Sequence, residues 1–153
     1  MTTRTTEGWL LVLQAVDVAF LLLHDWVPLG RLSNRQAVRE VDSVTRLAVS
    51  TLISTVPWAL GLGLCCVYWH SPRWPHWLES YLVVSYCVLL AGALVAWWIP
   101  YLVWPNPERA ARYRIRFADT LRFLPERNGI APDTLHVAFH GMVVATLVLL
   151  VRL

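Results

Sequence analysis

The chain has 153 residues, of which 57% are hydrophobic and only 15% charged, with a formal net charge of +3 and a mean hydropathy of +0.50. Soluble domains carry roughly 25% charged residues, and disordered chains combine low hydrophobicity with high net charge, so both classes are excluded. Three cysteines make no disulfide scaffold, and the composition reads as an integral membrane protein.

Four stretches approach the roughly 20 apolar residues that cross a bilayer: 9–29, 47–69, 78–104 and 135–151. The last is short, about 17 residues, and still lies in the spanning range. The expectation is an all-α polytopic membrane protein, one four-helix transmembrane bundle covering 1–153. The first stretch reads as an uncleaved anchor. Only Arg4 precedes it, Asp17, His24 and Asp25 interrupt it, and no small-x-small cleavage site follows.

Asp17 falls near the middle of the first span. An ionisable group there costs at least about 2.5 kcal/mol on the insertion scale. It suits a small proton-coupled transporter, or it bonds to a neighbouring helix, with Gln14 or Ser85 as partner. His24 lies seven residues on, near the same helix face and about 10 Å further along the axis. Asp25 follows at the boundary.

Every basic side chain is arginine. Arg31, Arg35, Arg39 and Arg46 lie between spans one and two. Arg109, Arg112, Arg114, Arg116, Arg122 and Arg127 lie between spans three and four, leaving Arg4, Arg73 and Arg152 on the other side. Positive residues stay in the cytoplasm. Loops 31–46 and 105–134 are therefore expected inside, and both termini outside, in a bacterial-type plasma membrane. Trp9, Trp26, Trp69, Trp74, Trp77 and Trp104 fall near span ends, where indoles favour the headgroup region. Trp97, Trp98 and Tyr101 are assigned to the same belt.

Span two begins with Asp42, Thr45 and Arg46, and Ser50, Thr51, Ser54 and Thr55 continue a small polar stripe. In the loop between spans two and three, His70 and His76 read as solvated. Cys65 and Cys66 differ in depth from Cys87 by about 8 Å of helix rise, too far for a disulfide.

Pro105-Asn106-Pro107 is a helix-start signal. Ala110, Tyr113, Phe117, Leu121 and Leu124 then recur three and four apart, predicting an amphipathic helix over 107–124. Lying in the membrane surface, it would carry Arg109, Arg112 and Arg116 to anionic headgroups of membrane lipids; the alternative packs it under the bundle. Glu108, Asp119 and Glu126 dilute its basic charge, which argues against nucleic acid. Pro125, Gly129 and Pro132 redirect the chain into span four.

Asp133 and Thr134 are N-cap candidates for that span. His136 and His140 are an i, i+4 pair on one face, at about the depth of His24, Asp25 and Asp42. This constellation predicts a polar site at the cytoplasmic ends of spans one, two and four. His24, His136 and His140 would hold a divalent metal such as zinc. Asp25 or Asp42 would serve as base or orienter, and the substrate would be a lipid or lipid-like molecule. A second cofactor reading is haem b between His24 and one span-four histidine.

The Ser, Asp and late His-x-x-x-His kit resembles that of alkaline-ceramidase-type membrane hydrolases, which implies zinc at the histidines. That family has seven spans, however, and no longer motif matches. The small size and first-span acid resemble small multidrug transporters, but their acid is a glutamate and their arginine bias is weak. Beside the lipid-site reading stand two others: a transporter centred on Asp17, and a non-enzymatic subunit, whether a homo-oligomer or bound to a membrane partner.

Overall fold

The computed structural model describes residues 3–153. It is helical, with no strand among the described residues. The elements are α1 (Thr3–Leu23), a short 3-10 turn (Gly30–Leu32), α2 (Arg35–Val41), α3 (Val44–Val67), α4 (His76–Ala93), a π-helical turn (Leu94–Trp98), α5 (Ile99–Leu102), α6 (Pro107–Arg116) and α7 (Thr134–Leu150). Three helices are long and apolar enough to cross a membrane: Arg4–Leu23, Val44–Val67, and the run His76–Leu102. The fourth, Thr134–Leu150, is apolar and shorter, at 17 residues.

The first helix sits earlier in the chain than the hydropathy of 9–29 suggests, starting at Thr3 and stopping at Leu23. Pro28 explains the stop, because it disfavours helical backbone at the residue before it and donates no amide. The chain turns instead, and Trp26 Nε1 donates to Thr51 Oγ1 on α3 at 2.9 Å.

α1 packs against α3 and α7, and α4 against α7 and α3. Leu10, Leu78, Leu82, Tyr86 and Val143 are fully buried between them. The opposite face of α3 leaves Leu52, Ile53, Val56 and Leu60 exposed, an apolar patch of the kind that a membrane covers.

A second, smaller core forms at one end from Trp97, Tyr101, Ala110, Phe117 and Ile130. Trp97 and Tyr101 are 5% and 4% exposed, so they are packing residues and not part of an interfacial belt. The π-helical turn that carries Trp97 has a local cause. Pro100 offers no amide to the Ala96 carbonyl, and the Ile99 amide bonds one residue further back, to Leu94 O. The freed Val95 and Ala96 carbonyls are taken by Arg109, and Ala96 O also accepts from Tyr113 Oη at 3.2 Å. Both donors stand on α6, so the turn anchors that helix beneath the bundle.

α6 is shorter than the apolar stripe predicts: it ends at Arg116, not 124. Asp119 takes a left-handed φ of 60°, and the Thr120 hydroxyl bonds Phe117 O at 2.8 Å. The Leu121 amide donates to Arg31 O at 2.7 Å, and Leu121 O accepts the Thr134 amide at 2.9 Å. Leu121 therefore belongs to a strap joining both connections and not to a helix face. α2 packs on α6, and Asn34 Nδ2 donates to Ala118 O at 3.0 Å. Loops 31–46 and 105–134 thus meet at the same end of the bundle.

Gly129 turns the strap with φ +76°, and a Cβ there would lie 3.0 Å from the Ala110 Cβ. Gly129→Ala is expected to cost about 1–2 kcal/mol for left-handed backbone, read as a lower unfolding midpoint of the detergent-purified protein. An unchanged midpoint would show that the turn relaxes freely.

Candidate functional site

Each helix that starts at the polar end is capped by a side chain that accepts a backbone amide. Asn34 caps α2, Ser43 caps α3, Asn106 caps α6 and Asp133 caps α7. These caps fix where the helices begin, and so set the depth of the charged groups beside them.

Asp42 stands between α2 and α3 and is 3% exposed. Three guanidiniums converge on it. Arg112 Nη2 reaches Oδ1 at 2.5 Å, Arg46 Nε reaches Oδ1 at 3.3 Å, and Arg116 Nη1 pairs with Oδ2. Arg116 Nη2 also pairs with Asp25 Oδ2 at 2.7 Å. Asp25 and Asp42, expected as base or orienter, are thus both engaged by one half-buried arginine, Arg116. The arginines expected to reach lipid from a surface-lying helix are aimed inward: Arg112 and Arg116 at carboxylates, Arg109 at the π-turn carbonyls. A close neighbour leaves each buried carboxylate at lower cost than open lipid would.

Above this network lies an open cavity of about 580 Å³. Arg46, Arg109, Arg112 and Arg116 line it, against the carboxylates of Asp42 and Glu108, with Trp97, Tyr113 and His136 as its ring-bearing wall. Burial raises the Tyr113 phenol above its usual range, with Arg109 and Arg112 opposing.

His136 sits in a cage of rings. Trp97 lies 4.7 Å away, Phe117 5.1 Å, His24 5.4 Å and Phe20 5.5 Å between centroids. Asp133 both caps the His136 amide at 3.0 Å and takes the ring Nδ1 at 2.7 Å. A carboxylate only accepts, so Nδ1 carries a proton and a neutral ring keeps its lone pair on Nε2. Burial pushes the Asp133 carboxyl up. The His136 ring and the amides of His136 and Leu135 outweigh that, and hold it below the usual carboxylate range.

The structure brings the three predicted metal ligands near one another without making a metal site. Among the described residues, no group of three or more His, Cys, Asp or Glu side chains is placed to hold a metal ion. His24 Nδ1 bonds Phe20 O at 2.8 Å, His136 Nδ1 bonds Asp133, and His140 Nδ1 accepts from Trp98 Nε1 at 3.2 Å. His24 also stacks on Phe20, which stacks on Phe139. His24 and His136 meet edge to face, with Phe20 against both rings and Phe117 against His136.

Asp17 is fully buried, well away from this end. Its partner is on α7: Thr146 Oγ1 donates to Oδ2 at 3.1 Å. Gln14 instead faces Cys65 Sγ at 3.6 Å, and Ser85 bonds Leu82 O. The Tyr86 hydroxyl is the second side-chain group that interacts with the Asp17 carboxyl.

Sequence reasoning missed Trp98 and Tyr113 as polar partners and Arg46 as part of the cavity rim. Arg109 and Tyr113 are an i, i+4 pair on α6, and Pro100 marks the freed carbonyls; that was the available signal. No family model, curated protein or solved structure matches this chain.

Proposed function

We propose that this chain is a four-span membrane protein that binds the phosphate-bearing headgroup of an anionic lipid in the arginine-lined cavity, on the cytoplasmic side. The observation that carries this reading is the cavity itself, where four arginines stand over two carboxylates. Guanidinium forks match phosphate oxygens bidentately. Asp42 already orders three of them, so less side-chain freedom is lost on binding. The 17 residues of α7 extend roughly 25 Å at helical rise, enough for a fourth span in the usual range. Ten of the thirteen arginines fall in the two connections that meet at the cavity end, which supports that end as cytoplasmic.

A second reading, hydrolysis of the bound headgroup, is favoured by the Asp133–His136 pair at the cavity wall. With Nδ1 held by the carboxylate, Nε2 is free to accept a proton from water.

Native mass spectrometry from mild detergent tests the binding reading with phosphatidylglycerol and phosphatidylcholine. Wild type is expected to retain phosphatidylglycerol about ten-fold better, the scale of one charge-assisted contact. Arg46→Gln with Arg112→Gln should erase that preference while leaving the fold intact. These two are the more exposed partners of Asp42, and Arg116 remains. Equal retention of the two lipids by wild type would overturn the proposal.

A further inference from the structure

Asp17 takes no part in the arginine-lined cavity. It is fully buried on α1, about 10 Å of helix rise from His24. An ionisable group inside a helix that crosses a bilayer is costly and calls for a partner or a task. Its closest partner serves two oxygens at once. The Thr146 hydroxyl stands 3.1 Å from Asp17 Oδ2 and 2.9 Å from Met142 O. A hydroxyl carries one proton and two lone pairs. With Asp17 ionised, Thr146 donates to the carboxylate. With Asp17 protonated, the carboxyl donates to Thr146, and Thr146 donates to Met142 O. The same atoms satisfy both states of the acid without any side chain moving. Tyr86 on α4 is the only titratable side chain among the described residues that acts directly on this carboxyl.

The two directions away from Asp17 differ in chemistry. Toward the termini, α1 carries Gln14 and Glu7, fully buried and 3% exposed. Gln14 meets Cys65 of α3 at 3.6 Å, and Cys65 acts electrostatically on Tyr86 and feels Glu7. Glu7 pairs with Arg4 at 3.3 Å, and the Arg4 side chain is half exposed. Arg4 also donates to the carbonyls of Trp69 and Ser71, in the connection between α3 and α4. Polar groups thus follow one another from the surface to Asp17, over about 15 Å of helix rise from Glu7.

Toward the arginine-rich end the groups are apolar. Phe20 and Leu21 follow Asp17 on α1, and Phe139 and Val143 stand on α7. The Phe20 ring stacks on Phe139 at 4.0 Å and on His24 at 4.4 Å. Stacked phenyl rings offer a proton no oxygen or nitrogen to bind, so the histidines and carboxylates of the cavity end are cut off from Asp17.

We propose that Asp17 is a proton-binding site inside the membrane, reached from the side of the termini and closed toward the arginine-rich end by the Phe20–Phe139 stack. This inference stands on the surroundings of Asp17 and is independent of the headgroup reading.

The test uses proteoliposomes with a separate pH inside and outside. Trypsin, which cuts at the arginine-rich connections, reports which way the protein is inserted. Dicyclohexylcarbodiimide, an apolar reagent that modifies protonated carboxyls, is added, and the adduct at residue 17 is read by peptide mass spectrometry, with Asp17→Asn as the blank. In wild type the adduct should fall about ten-fold per pH unit on the side of the termini once the acid ionises. It should stay level when only the other side changes. Phe20→Ala should make both sides count. An adduct that ignores pH on both sides, that follows the arginine-rich side, or that is missing even at low pH overturns the proposal. A Phe20→Ala protein that still answers to one side overturns the ring stack as the barrier. The wild-type comparison decides even where that variant fails to fold.

Discussion

Asp42→Asn should lower the unfolding free energy of the detergent-purified protein by about 3 kcal/mol, because it removes the buried charge that pairs with a largely enclosed arginine. The effect is assigned mainly to Arg116, whose side chain is 14% exposed. Arg46 is 62% exposed, and solvent screens most of what that pair contributes. Asp25 keeps one contact with Arg116, which prevents a larger loss. A denaturant titration of wild type and variant measures the difference. A variant within about 0.5 kcal/mol of wild type, the ordinary scatter of surface changes, would mean that the network is ornamental.

Asp133 should give the second-largest effect, and it should depend on pH. Asp133→Ala removes the cap of α7, a change that costs about 1–2 kcal/mol, and also the acceptor for His136 Nδ1. Asp133→Asn keeps a capping oxygen and loses the charge. The folded carboxyl titrates below its usual range, so the folded state releases this proton more readily than the unfolded chain, whose value is about 3.9. Its contribution is then complete above that unfolded value and is lost as pH falls through the lower folded one. Melting curves taken from pH 6 down to pH 3 should show wild type losing more stability than Asp133→Asn. Parallel acid limbs for the two proteins would remove Asp133 from the account.

The parts of the fold that hydropathy reports were legible in the sequence. Apolar length marks the three long helices, and Asp133 was readable as a cap and Pro105-Asn106-Pro107 as a helix start, because both are local signals. The arginine distribution put loops 31–46 and 105–134 on one side, and they meet at one end. The site itself was legible only as a neighbourhood. Asp42 and Arg116 are 74 residues apart, and their pairing depends on how two helices are rotated, which hydropathy does not contain. The same rotation decides that the three histidines meet rings, a carboxylate and an indole, where the sequence suggested a metal. Leu121 and Leu124 continue the α6 periodicity, yet the helix stops because the Asp119 backbone and the Leu121 ladder to Arg31 and Thr134 compete for those residues. The stripe overstated burial as well as helix length: in the strap Leu121 is 40% exposed and Leu124 only half-buried.

The attachment of α6 to the π-turn has an uneven tolerance to mutation. Its acceptors are the main-chain oxygens of Val95 and Ala96, which every amino acid carries. Sequence drift at 95 and 96 can change the side chains freely and never delete the anchor point. Position 100 is different, since any residue but proline returns an amide that competes for the Ala96 carbonyl. The rim of the cavity is thereby insured at two positions and staked on a third that touches no ligand.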